Sequence, residues 1–453
     1  MKTSKVMEIA DQYLRWVRGR LPKRCEAEIY LSRARERGIE MREGRLENLE
    51  ESCDEGLGLR VLQGGRSGFA YATGLGRENL EDVLSQALGQ LPYFPPDRYR
   101  ALPAPNGGVM KAQPAPLELG DPSLLQGMIE DQLPKLREME GVALKANRLV
   151  RRVLRLGYGE SGSEVAVVNT LGIRAAESGT HCSVGLSVAA EKMTQVQIGS
   201  GSASARFYQD LDFHRVAHEG VHRAAALIDS KKLPTQRRAV LFDPWVAGEF
   251  LDVVAGALSA DEVQRGKSLF AGKLGKRVAN SRVNLIDDPR KPRGVASSIF
   301  DDEGVPTRRK ALIEAGILKD YFYDTYTANK DDKTSNGCAG RATFRGVPGP
   351  SSSNFYLAPG SLSRDELIAD TKDGILVFEV MGMHMTDPVS GEFSIGISGI
   401  AVNNGELTHG VRQAMLSGNV LEMLDQIDAV ANDLTFYGRL ASPTFRVPDM
   451  MVA

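Results

Sequence analysis

Apolar positions recur at helical spacing from residue 5 to 20, where Val6, Ile9, Ala10, Tyr13, Leu14 and Val17 define one face of an amphipathic helix. The period then shortens to two. Cys25, Ala27, Ile29 and Leu31 alternate with Glu26, Glu28 and Tyr30, the pattern of a half-buried strand. A strand pair follows over 56–62 and 67–71, joined by the turn Gln63-Gly64-Gly65-Arg66, and helical spacing returns over 79–91. Residues 92–120 hold Pro92, Pro95, Pro96, Pro103, Pro105, Pro114 and Pro116 with Gly107 and Gly108, the composition of a connector. Beyond it the pattern predicts a short helix over 123–138. Alternating strands then cover 150–158, 164–168, 172–176, 182–191 and 194–204, and a helix over 211–228 covers one face of them.

From about residue 230 the pattern changes again. A short strand over 239–242 runs into Asp243-Pro244, which opens a helix reaching about Leu258, with Asp as N-cap and Pro at the first position. Ser363-Arg364-Asp365-Glu366 is a capping box for a later helix. Residues 374–380 and 393–402, with the turn Asn403-Asn404-Gly405, read as strands and hairpin, and a last helix covers about 419–429. The fold class expected is α+β. Its parts are an N-terminal sub-domain over 1–100, a connector over 101–120, a second antiparallel-sheet sub-domain over 121–230 and a β-rich C-terminal domain over 231–453, barrel- or sandwich-like with flanking helices.

At 453 residues the chain is too long for one ordinary core. A net charge of −2 supplies no field to attract nucleic acid or an anionic membrane. The densest basic run, from Lys145 to Arg155, is interleaved with Val150, Val153 and Leu154 and lacks aromatic stacking partners, so it reads as a strand face. Cys25, Cys53, Cys182 and Cys338 have neither disulfide-framework nor zinc-site spacing. The start of the chain lacks the apolar core of a signal, and no run approaches the ~18 apolar residues of a membrane span. A cytoplasmic protein is expected.

Three local patterns carry candidate chemistry. Gly56-Leu57-Gly58 lies inside a strand, without a third glycine opening a helix, so it is not a dinucleotide fingerprint. His218-Glu219-Gly220-Val221-His222 matches the H-E-x-x-H signature. On a helix the two imidazoles share a face and can hold one zinc, with Glu219 as general base on a bound water. Against this, the histidines flank the apolar stripe, no third ligand is evident downstream, and the helix leads into a polar linker. Third is Phe300-Asp301-Asp302-Glu303-Gly304-Val305-Pro306, which leads into Arg308, Arg309 and a second turn at Glu314-Ala315-Gly316. It reads as a charged hairpin. Asp301, Asp302 and Glu303, with the loop Thr334-Ser335-Asn336-Gly337, are candidates to line a substrate cavity or are ordinary solvent-facing turns.

The Phe-Asp-Asp-Glu-Gly-Val-Pro-Thr run and the turn after it resemble the TldD/PmbA family, once called modulators of DNA gyrase. Phe242-Asp243-Pro244, Arg265-Gly266 through Phe270-Ala271-Gly272, Gly391-Glu392-Phe393-Ser394 and Asn403-Asn404-Gly405-Glu406 extend the likeness over nearly the whole chain. The resemblance implies a cytoplasmic peptidase assembly acting on extended, unfolded or leader-type peptides. In its TldD branch, zinc is held by a His-Glu, three residues, His helix and a cysteine near the C-terminus. Here Leu251 and Gly256 stand at the histidine positions and Asp252 at the glutamate, and residues 435–439 contain no cysteine. The resemblance therefore implies the PmbA (TldE) branch. Such a chain holds no cofactor of its own, and zinc sits in a TldD-type partner in a heterodimer, or the chain pairs as a homodimer. The alternatives are a self-sufficient metallopeptidase using His218, Glu219 and His222, and a regulator of DNA gyrase.

Overall fold

A computed structural model describes residues 5–105 and 117–453; Met1–Ser4 and residues 106–116 of the connector lie outside the described residues. The chain opens with α1 (Lys5–Arg18), β1 (Cys25–Arg42), β2 (Arg45–Gln63), β3 (Arg66–Thr73) and α2 (Arg77–Gln90). After the connector come α3 (Leu133–Ala146), β4 (Val150–Asn169), β5 (Arg174–Lys192), β6 (Gln195–Ala205) and α4 (Phe213–Ala226). The six strands form one antiparallel sheet in the order β3-β2-β1-β4-β5-β6. β1 pairs with β4 from Glu28↔Asn169 to Met41↔Leu156, so strands from both sides of the connector share a sheet.

Several strands are longer than their alternation predicts. Residues 33–55 are charged on both faces, which hides a period of two, yet β1 and β2 pair throughout. Cross-strand ion pairs at Arg33–Glu55 (2.8 Å), Arg35–Glu51 (2.5 Å) and Arg42–Glu47 (3.2 Å) line this ribbon. The glycine-rich 157–162 stretch does not break β4, because β1 and β5 hydrogen-bond it on both sides. The predicted helix over 123–138 instead covers Leu133–Ala146, after a 3-10 turn at Ile129–Gln132.

Helices cover the sheet in two places. At one end α1 and α2 bury Val6, Ala10, Val17, Leu80 and Leu84 against Ile29, Leu31, Leu57, Leu59 and Val61. At the other, α3 and α4 bury Leu136, Met139, Val216 and Val221 against Leu156, Tyr158, Leu186 and Val188.

The C-terminal region begins β7 (Gln236–Phe242), α5 (Pro244–Ala257), α6 (Ala260–Gln264), β8 (Leu285–Asp287), β9 (Lys310–Glu314), β10 (Ile317–Leu318), α7 (Thr325–Lys330). It continues through β11 (Ala339–Gly340), β12 (Gly349–Pro350), β13 (Phe355–Leu357), α8 (Arg364–Ala369), β14 (Asp373–Met381), β15 (Glu392–Asn403) and β16 (Glu406–Asn419). It ends with α9 (Val420–Gln426), β17 (Ala429–Val430), β18 (Thr435–Tyr437), β19 (Leu440–Ser442) and β20 (Phe445–Val452). β16-β15-β14-β7-β20 closes into a five-stranded barrel through Leu416↔Val452 and Ser417↔Met451, which leaves no open edge within it. A second sheet runs β10-β9-β8-β13-β19-β18. The fold is α+β, with antiparallel sheets and a C-terminal barrel.

α5 packs between the barrel and the second sheet. Asp243 caps it by accepting from Trp245 N (3.1 Å), Pro244 occupies the first turn, and Phe250 stacks edge-on against Phe242 and Phe393. Among the described residues, no helix is long and apolar enough to cross a membrane.

Candidate functional site

The charged run at 301–303 does not face solvent. It is driven into the face of the N-terminal sheet opposite α1 and α2, where Glu28, Tyr30, Gly56, Gly58 and Arg60 point. Glu303, 1% exposed, accepts from Arg60 Nη2 (2.9 Å) through Oε1 and from Thr325 N (2.9 Å) through Oε2. Glu28 pairs with the same Arg60 nitrogen (2.8 Å) and with Arg341. Burial works to raise the Glu28 pKa, but the two guanidinium groups outweigh it and hold the group below the usual carboxylate range.

Asp301 Oδ1 accepts from Glu303 N (3.0 Å) and Val305 N (2.9 Å), and Oδ2 from Ala339 N (3.0 Å). Burial, with Glu303 nearby, still pushes its pKa well up. Asp302 is half-buried and accepts from Arg341 N (2.6 Å), and burial raises its pKa as well. Phe344 follows the same route. A Cβ on Gly56 would lie 2.3 Å from its ring and one on Gly58 2.5 Å from its carbonyl oxygen, so the glycine pair is a seat for the C-terminal region.

Asn336, 2% exposed, is equally committed. Its Oδ1 accepts from Tyr323 N (3.0 Å), and its Nδ2 donates to Tyr321 O (2.7 Å) and Asp320 Oδ2 (3.1 Å). Gly337 holds φ +73° with the Pro306 carbonyl 2.7 Å from where a Cβ would sit. Asp301, Asp302 and Gly337 do line a cavity of about 220 Å³, which Cys338 and Asp287 share. Lys310 Nζ contacts Asp287 Oδ2 (2.8 Å) and Cys338 Sγ (3.1 Å) there. Asp301, Glu303 and Asn336 hydrogen-bond to nearby backbone and side-chain groups, so these side chains help fix the architecture around that cavity.

α4 carries His218-Glu219-Gly220-Val221-His222 as a regular helix capped by Asp212. Val216, Ala217, Gly220 and Val221 turn inward; His218 and His222 lie exposed. Glu219 is bound by Arg215 one turn back and by the Tyr437 hydroxyl, which donates to its Oε1 (3.2 Å). Among the described residues, no three His, Cys, Asp or Glu side chains converge as metal ligands do. The sequence pattern supplies two imidazoles on a helix flank and no shell around them.

Tyr437 also meets α5. The side of α5 that is not fully buried carries Trp245, Glu249, Asp252, Val253 and Gly256. Trp245 packs edge-on against the Tyr437 ring (4.9 Å), with the Arg223 guanidinium over the indole at 5.0 Å. Arg439 donates to Asp252 Oδ1 (3.1 Å). Glu249 sits half-buried, and burial followed by the charge of Glu379 raises its pKa. Burial, with Glu219 nearby, pushes the Tyr437 phenol up to about 12, so it stays a neutral donor. α4, α5 and the 435–439 turn thus meet around one tyrosine. Sequence reasoning missed Trp245, Tyr437 and Arg439 because nothing in their local spacing marks them. It also missed Arg60 and Arg341, although a charge sharing a strand face with Gly56 and Gly58 was a usable sign of a covered surface.

Sequence comparison places this geometry in a family of metallopeptidases. Models of PmbA/TldA metallopeptidase domain 1, central domain and C-terminal domain match residues 27–90, 128–228 and 235–453. The chain belongs to the TldD/PmbA family. It is 27% identical over 436 residues to metalloprotease PmbA of Escherichia coli O157:H7, covering 94% of this chain and 92% of that one. A Thermotoga maritima protein described as a modulator of DNA gyrase superposes with a TM-score of 0.88 at 26% identity, covering 98% and 99% of the two chains. TldE of Thermococcus kodakarensis shares the fold, with a TM-score of 0.86 at 22% identity over 98% and 100%.

The name metalloprotease implies a metal in the family. At the positions the resemblance assigns to it, the residues do not fit one. Leu251 is aliphatic and 4% exposed, Gly256 has no side chain, Asp252 is paired to Arg439, and 435–439 offers no thiolate.

Proposed function

We propose that this chain is a PmbA/TldE-type subunit without a metal of its own, which completes a peptide-binding enclosure with a TldD-type zinc peptidase. The observation carrying the reading is the Asp252–Arg439 ion pair, joining α5 to the turn after β18 where a ligand set would have to converge. The partner supplies the zinc and the hydrolytic step. This chain supplies surface: the Trp245–Tyr437 pair on α5 and β18, and β18 itself, an edge strand whose unpaired backbone can accept an extended peptide with little sequence preference. The substrate class is then unfolded or leader-type peptide.

The test is reconstitution. Purified untagged chain and a TldD-type subunit are assayed separately and mixed, on an unfolded peptide, with size-exclusion chromatography alongside. The reading expects a mixed complex and cleavage that exceeds the partner alone. Cleavage by this chain alone, lost on His218→Ala, would replace it with the self-sufficient peptidase. The name of the Thermotoga maritima neighbour supports a third reading, a gyrase regulator, and a pull-down recovering gyrase without any TldD-type protein would favour that one.

A further inference from the structure

β3 is an outer strand of the N-terminal sheet. Such a strand turns every second residue's N–H and C=O away from its neighbour, a ready template for another chain. Phe69 lies on one of these outward rungs, and a side chain takes both its groups. That side chain is Gln90, the last residue of α2. Its Oε1 accepts from Phe69 N (3.1 Å) and its Nε2 donates to Phe69 O (2.8 Å). A residue of a neighbouring antiparallel strand would exchange the same two bonds. A glycine makes the approach possible. A Cβ on Gly68 would lie 1.9 Å from Ala87 O, so α2 closes onto β3 there and carries Gln90 to the edge one turn later.

The edge is held at both ends as well. Asn79 Nδ2, from the first turn of α2, donates to Thr73 O (3.2 Å). At the other end Asp97 N donates to Gly65 O (2.8 Å), and Arg66 Nη1 to Pro92 O (3.1 Å) and Phe94 O (2.8 Å), which lays the start of the connector beside the strand. By the alternation of the β2–β3 ladder, Ser67 and Tyr71 are the rungs on either side of Phe69. Among the described residues, their outward backbone groups have no such partner, so Gln90 interrupts the run at its middle. Water would satisfy Phe69 as well as an amide does at an exposed edge, so satisfaction alone does not call for Gln90. What the amide adds is exclusion, because it sits where the backbone of a further strand would run.

We propose that Gln90 closes the β3 edge against a second copy of this chain, whose own β3 is the identical and always available partner. The strand would otherwise invite that pairing. Its one charged side chain is Arg66 at its start. Phe69 and the half-exposed Tyr71 supply the aromatic contacts that stabilise paired strands. The proposal does not rest on the accessory-subunit reading, because it concerns the behaviour of this chain alone.

The full chain is compared with its Gln90→Ala and Gln90→Lys variants by light scattering over about a hundredfold range of concentration, and by residue-resolved amide exchange. In the parent, Phe69 N–H should exchange at least about tenfold more slowly than Tyr71 N–H, after correction for intrinsic rates, because one of the two is hydrogen-bonded. Gln90→Ala should lose that protection. At the highest concentrations it should form particles heavier than the parent's, in which Tyr71 N–H becomes protected. Gln90→Lys should lose the Phe69 protection too yet keep the parent's mass, because a charge at a sheet edge opposes pairing. Equal exchange at Phe69 and Tyr71 in the parent, a Gln90→Ala variant that keeps the parent's mass throughout, or association that leaves Tyr71 N–H open would each overturn the proposal. So would association of Gln90→Lys equal to that of Gln90→Ala, which would mean unfolding and not edge pairing.

Discussion

α4 and α5 are neighbours of the same length, and both touch Tyr437, yet they carry opposite kinds of information. α4 has the residues of a zinc motif in the right spacing and none of the surroundings: its histidines look outward and its glutamate is taken by Arg215 and Tyr437. α5 is packed between a barrel and a sheet with the 435–439 turn beside it, but it carries an aliphatic residue and a glycine at the positions where the family resemblance implies imidazoles in the TldD branch. Spacing on one helix can supply two ligands. A closed shell needs a third from another element, and only the fold decides whether one arrives.

The comparison can be broken by substitution, and the charges that join the two halves of the molecule set the scale. Glu28→Gln leaves Arg60 and Arg341 facing one another without their shared carboxylate, and is expected to cost about 3–5 kcal/mol in urea unfolding. The pH dependence has a definite sign. Because the folded-state pKa of Glu28 is depressed, its contribution is present above the unfolded value of about 4.3 and is lost as pH falls through the lower folded one. The variant should lose that acid limb, and a profile unchanged at low pH would refute the ion-pair account. Phe250→Ala, which empties the aromatic contact under α5, should cost about 3–5 kcal/mol by the same measurement. If it costs under about 1 kcal/mol, α5 is not the buried helix described here.

Tyr437→Phe removes the hydroxyl that ties β18 to α4 and should cost about 0.5–1.5 kcal/mol. It leaves the ring contact with Trp245 intact, so tryptophan fluorescence should barely move. His218→Ala with His222→Ala should stay within about 0.5 kcal/mol of the parent, as surface changes do. A larger loss, reversed by added zinc, would show that α4 does hold a structural metal.

Sequence pattern served well where one face is apolar and the other polar. α1 and α4 were legible for that reason, and Asp243-Pro244 and Ser363 to Glu366 marked the starts of α5 and α8, which the structure bears out. Pattern failed over 33–55, where two long strands carry charge on both faces and their stability lies in cross-strand pairs. It failed again at 301–303. Three consecutive acids look solvated until Arg60, more than 240 positions away, is brought against them, and no local window contains that contact. The short strands at 339–340 and 349–350 exist only through each other. Around Tyr437 the family resemblance located α5 and the 435–439 turn, but the side chains that join them come from tertiary packing.

The central claim is that the α5 face of this chain, where Asp252 pairs with Arg439, does not hold a metal. Zinc content of untagged protein, refolded with excess zinc and then exhaustively dialysed, tests it most directly. The account predicts far less than one zinc per chain, with no change when Asp252 is replaced by Ala. One zinc per chain that survives dialysis and is lost in Asp252→Ala would contradict it.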